Sequence, residues 1–190
     1  MLRTLLASAA LLALAAGAAA QTAPGNAPAG YGGASSPPST LTLPAPTTAY
    51  SAGNLIANSA TAGNVVNPSF AIPPTGGAIA LAELTTNDTT ATAWGAQSIN
   101  IDLWSAAPTW TNGDRGAWSP ATGTSVHLGT FTCTMSAEYG DGAFAECAPA
   151  VGSFVPIPAG VTTVYWSLQA VTGSGVTGSG KTFTLTARYL

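Results

Sequence analysis

The chain has 190 residues, only 6% of them charged, with four Lys or Arg, seven Asp or Glu, one His and a formal net charge of −3. Nucleic-acid binders cluster Lys and Arg on one face, and catalytic sites need tunable acid–base groups. This composition is poor in both, which excludes a nucleic-acid partner and weighs against an enzyme.

Residues 1–20 have the form of a secretory signal peptide. Arg3 supplies the positive end, Leu5 to Ala16 is Leu and Ala broken by Ser8, and Ala18-Ala19-Ala20 is a small-residue cleavage site. The alternative, a transmembrane anchor, needs about 20 apolar residues, and this run is shorter. The expected mature protein starts at Gln21, has no membrane span, and is secreted or periplasmic. Residues 21–49 are Pro-, Ala-, Gly- and Ser-rich, with Pro24, Pro28, Pro37, Pro38, Pro44 and Pro46, and read as a linker. The folded domain is expected over 50–190, long enough to bury a core.

Beyond Tyr50 the pattern has period 2. Ile99, Ile101 and Leu103 alternate with Ser98, Asn100 and Asp102. Val164, Trp166, Leu168 and Ala170 alternate with Thr163, Tyr165, Ser167 and Gln169, and Phe183, Leu185 and Ala187 alternate with Thr182, Thr184 and Thr186. These are strands with one apolar face and one wet face. Weaker strands are predicted near Val65–Ile72, Ala78–Leu84, Val126–Met135 and Gly142–Ala148. The apolar parity switches between Leu128 and Phe131, so Gly129 marks a β-bulge. Turn residues separate these stretches, and no 3.6 period appears. The predicted fold is an all-β antiparallel sandwich, jelly-roll-like, with an immunoglobulin-like sandwich as the alternative.

Cys133 and Cys147 are the two cysteines. An oxidising compartment favours one disulfide across Ser136–Glu146, which stabilises by about 3 kcal/mol on the chain-entropy model. A metal site would need about four ligands, which a single distant His127 does not complete; two unpaired buried thiols are the remaining reading.

Thr109–Trp118 is the densest local feature. As a candidate binding loop it offers Trp110, Asn112, Asp114, Arg115 and Trp118: flat aromatics beside hydrogen-bonding groups, as a glycan platform needs. The competing and favoured reading is a loop folded over the sandwich edge, its tryptophans a small core of their own. Asp88, Asp114, Glu138 and Asp141 fall in predicted loops without calcium-loop spacing, so no metal is expected. His127 lies in a strand with no nucleophile motif and no evident Asp to orient it, so a structural role is expected. Gly175 to Thr182 satisfies the phosphate-loop pattern, but Thr182 opens a strand where a helix is required. No cofactor is expected.

The order of short motifs has one further implication. Tyr50-Ser51-Ala52-Gly53-Asn54, Gly76-Gly77-Ala78-Ile79, Ile101-Asp102-Leu103-Trp104, Ala107-Pro108, Asn112-Gly113-Asp114, Gly116-Ala117-Trp118, Leu128-Gly129 and Phe183-Thr184-Leu185 follow one another over most of residues 48–190. This resembles a family of small tailed-phage structural proteins, capsid-accessory components of the virion. The resemblance implies a β-sandwich without catalytic residues that acts through contacts with a protein surface or lattice, copies of itself included, and a virion location if phage-encoded. Asn54 stands where that pattern has Asp, and a leader with a Pro-rich linker is untypical of it. A secreted carbohydrate-binding module, with a glycan partner, is the alternative function.

Overall fold

A computed structural model describes residues 34–45, 48–89, 94–121, 126–138, 142–173 and 180–190. The leader expected over 1–20 lies outside them. The strands are β1 (Ser39–Thr42), β2 (Leu55–Ile56), β3 (Ser69–Ala71), β4 (Gly77–Thr86), β5 (Ser98–Trp104), β6 (His127–Thr134), β7 (Ser136–Glu138), β8 (Gly142–Pro149), β9 (Val155–Ile157), β10 (Thr163–Ala170) and β11 (Thr182–Tyr189). Every pairing is antiparallel. Among the described residues there is no α-helix.

One sheet runs β1-β11-β4-β8 and the other runs β6-β5-β10, with β2 and β3 along the far edge of β10. β8 joins them. Its Ala143–Cys147 pair with β4, while Ala148 and Pro149 pair with β6. The early strands thus pair with the late ones in nested order: β1 with β11, β2 and β3 with β10, β4 with β8, β5 with β6. A hairpin folded over and rolled in this way is the jelly roll.

Alternation builds the interior. Ile99, Ile101, Leu103, Val164, Trp166, Leu168, Phe183, Leu185 and Phe131 point between the sheets and are buried. Each such side chain contributes about 1.5–3 kcal/mol by leaving water. The expected bulge is present. Leu103 pairs with Gly129, but Trp104 pairs with His127, so Leu128 is the extra residue. A Cβ on Gly129 would meet the Val155 methyls at 2.9 and 3.0 Å, so glycine lets β9 cross close to β6.

Two expectations need correction. Part of the linker is strand: β1 pairs with β11, and Leu41 and Leu43 are buried. The Ser36 hydroxyl accepts from the Ala187 N–H at 2.9 Å, and the Ser39 hydroxyl accepts from the Trp166 indole N–H at 2.9 Å. Pro37, Pro38 and Pro44 flank this strand rather than interrupt it, and an edge strand tolerates them. Second, Val65–Ile72 shrinks to β3, which follows the 3-10 turn over Ala62–Asn64; Pro68 brings no N–H to the ladder, although its carbonyl accepts from the Trp166 N–H at 3.0 Å.

Cys133 and Cys147 form the disulfide, with Cα atoms 4.5 Å apart. Each lies near the C-terminal end of its strand, β6 and β8. The bridge fastens the two sheets beside the point where β8 passes between them.

Candidate functional site

The Trp-rich loop is anchored from below. Trp104 closes β5, and its indole N–H donates to the Ser167 hydroxyl at 3.0 Å. Trp110 and Trp118 pack against it with ring centroids 6.3 and 6.2 Å away, over Leu55 and Ala57. The Trp110 N–H donates to Asn67 Oδ1 at 2.8 Å, and the Asn67 amide donates to the Pro108 carbonyl at 2.6 Å. Gly113 takes no larger residue, since its Cβ would lie 2.1 Å from the Ala60 carbonyl oxygen. This is a second, smaller core on the outer face of the β6-β5-β10 sheet.

Asp114 fixes the loop. Its side chain is wholly buried, and Oδ1 accepts from the Tyr50 hydroxyl at 2.7 Å and the Ala57 N–H at 2.8 Å. Oδ2 pairs with Arg115, whose Nε donates to the Thr48 carbonyl and whose guanidinium lies 4.5 Å over the Tyr50 ring. Burial raises the Asp114 pKa, opposed by the Ala57 N–H, the Tyr50 hydroxyl and Arg115. Burial and then the Asp114 charge push the Tyr50 hydroxyl far above its ordinary value. Asn112 donates to the Ala117 carbonyl within the loop. Trp110 and Asp114 are therefore internal and present neither a ring face nor an open carboxylate to a ligand. Trp118 stays half-exposed, and its indole nitrogen is buried with no partner among the described residues.

The geometry around His127 departs from expectation. Asp102, buried on β5, stands 3.1 Å from His127 Nε2. The bulge makes this possible by placing His127 opposite Trp104, with ring centroids 4.8 Å apart. The Thr130 hydroxyl donates to the same Asp102 oxygen at 2.6 Å. A nucleophilic triad needs the carboxylate on one ring nitrogen and the hydroxyl on the other. Here both polar contacts, Asp102 and Thr130, fall on Nε2. The trio is a cross-strand polar cluster that keeps a buried carboxylate hydrogen-bonded.

Beside it lies an open groove of about 350 Å3 lined by His127, Thr130, Val151, Phe154, Val155 and Pro156. Val151 is 86% exposed, Phe154 48% and neighbouring Val126 61%. Sequence reasoning missed this patch, because its apolar residues are isolated among Gly, Ser and Pro.

Of the other candidates, Asp88 is buried near Thr86, Asp141 lies outside the described residues, and Glu138 closes β7. Among the described residues no group of three His, Cys, Asp or Glu could hold a metal ion. Most of the phosphate-loop pattern also lies outside. Its Lys181 donates to the Asn87 carbonyl, and Thr182 opens β11. Among the described residues no helix is long and apolar enough to cross a membrane. No protein-family model, curated protein or solved structure matches the chain.

Proposed function

We propose that this chain is a non-catalytic structural protein of the decoration or capsid-accessory type, working by docking one surface patch against copies of itself. The observation that carries this reading is that two exposed apolar side chains, Val151 and Phe154, line one groove together with Val155 and Pro156. Single exposed apolar residues are ordinary, whereas a contiguous patch marks a contact site. The patch holds both projecting side chains and a hollow. Two copies related by a twofold axis can therefore insert into one another. A net charge of −3 leaves little long-range repulsion between copies. The resemblance to phage accessory proteins supports the same reading, and the disulfide agrees with an oxidising, secreted or periplasmic setting. Sedimentation velocity on the full secreted chain tests it. Association should rise with concentration and be lost in Phe154→Asp. A wild type monomeric throughout, or a variant that associates equally, refutes the reading.

A further inference from the structure

We infer that β1 is exchangeable between copies: residues 36–43 of one chain occupy the β11 edge of a second, in place of that chain's own strand. β1 is an edge strand that pairs with β11 alone among the described residues. Four buried side chains anchor it. The Ser36 and Ser39 hydroxyls accept from the Ala187 and Trp166 N–H groups, and Leu41 and Leu43 enter the interior core. The Ser36 and Leu43 N–H groups donate in turn to the Ala187 and Lys181 carbonyls, each at 2.8 Å.

An empty β11 edge is costly. It leaves the Trp166 and Ala187 N–H groups without these acceptors, uncovers apolar core and presents an open row of backbone groups, which is a template for another chain. The segment that fits is Ser-x-x-Ser-x-Leu-x-Leu, and a second copy brings it unchanged. The same bonds form whichever chain supplies β1, so the two arrangements differ only in the connection to Tyr50. That connection is residues 44–49 and opens with Pro44. Proline fixes its own φ and confines the residue before it to extended backbone, so the chain runs straight on from Leu43. A short, stiff connection to a terminal strand is the setting in which exchange costs least. Tethering favours each chain's own strand, and high concentration offsets that advantage. Exchange requires β1 to leave its sheet, so it takes place as chains fold and not among folded chains during a sedimentation run. It is a second kind of self-contact, independent of the groove.

Cross-linking tests this on the full chain carrying Phe154→Asp, which removes the groove contact. Thr40 and Thr184 are partners across the β1–β11 ladder, on its exposed side, with hydroxyl oxygens 3.3 Å apart. Chains with Thr40→Cys and chains with Thr184→Cys are unfolded together in acidic urea, which suppresses the thiolate and leaves the Cys133–Cys147 bridge intact. They are refolded at high concentration and then oxidised. The expected product is a covalent heterodimer joined through positions 40 and 184. It should well exceed that from Thr40→Cys mixed with Thr75→Cys, an exposed position off the β1–β11 ladder. The double variant Thr40→Cys with Thr184→Cys, refolded dilute, should bridge within one chain and stay monomeric. The inference is overturned by heterodimer no more abundant than in the control mixture, or by a double variant that fails to bridge, which would take β1 off the β11 edge. Neither outcome bears on the groove, because its contact is removed from every chain used.

Discussion

The protein has two hydrophobic cores that use tryptophan differently. Between the sheets, Trp166 sits on a regular strand with its N–H held by Ser39, and neighbours on β1, β5 and β11 complete its surroundings. On the outer face, Trp104, Trp110 and Trp118 meet because one loop folds back on a sheet, and the Trp118 N–H goes without a partner among the described residues. The first core is dictated by alternation along strands. The second depends on a buried carboxylate, Asp114, that holds the loop to Tyr50 and Ala57. The interior core defines the fold, and the satellite core immobilises a loop that would otherwise look like a binding site.

Truncation in the interior should have the largest effect. Phe131→Ala should cost about 3–5 kcal/mol, because the sandwich closes poorly over the cavity; urea unfolding measures it, and a loss below about 1 kcal/mol would show that β6 is not part of the main core. Removing the bridge with Cys133→Ala and Cys147→Ala should cost about 3 kcal/mol by restoring freedom to a 14-residue separation. A drop of that size in the unfolding midpoint of the double variant is the expected result.

Asp114→Ala should cost about 2 kcal/mol by leaving the Tyr50 hydroxyl and the Ala57 N–H without their acceptor. Its signature should be local: faster amide exchange over 110–118 and little change in the strands. Loss of protection in β10 or β11 would merge the two cores into one cooperative unit.

Tyr50 gives the satellite region a pH dependence. Its pKa is raised, by burial first and then by Asp114. The folded chain therefore keeps a proton that the unfolded chain releases above about pH 10. Stability from this group is full below that value and falls as the pH rises beyond it. Wild-type unfolding midpoints should drop between pH 8 and pH 11 more steeply than those of Tyr50→Phe, and equal slopes would remove Tyr50 as the cause. Trp118→Phe should have the smallest effect, within about 1 kcal/mol, since it deletes an unpaired buried donor along with some packing.

The interior core was largely legible in the sequence. Ile99 to Leu103, Val164 to Ala170 and Phe183 to Ala187 alternate cleanly, and the parity switch at Gly129 located the bulge. β1 was hidden because Leu41, and Leu43 just beyond its end, sit among prolines that dominate composition. The outer face was harder to foresee. Trp110 is held by Asn67 and Asp114 by Tyr50, partners 43 and 64 residues away. The pairing of His127 with Asp102 depends on a register that only the bulge creates. Val151 and Phe154 carry no periodicity, so their gathering at one groove arises from the path of the chain between β8 and β9.

Hydrogen–deuterium exchange of the full chain at low and high concentration tests most directly where contact occurs. Amides over 126–130 and 150–156 should gain protection as concentration rises, while those over 110–118 stay unchanged. Protection confined to 110–118, with the groove unaffected, would contradict the assignment of contact to the groove and return it to the tryptophan loop.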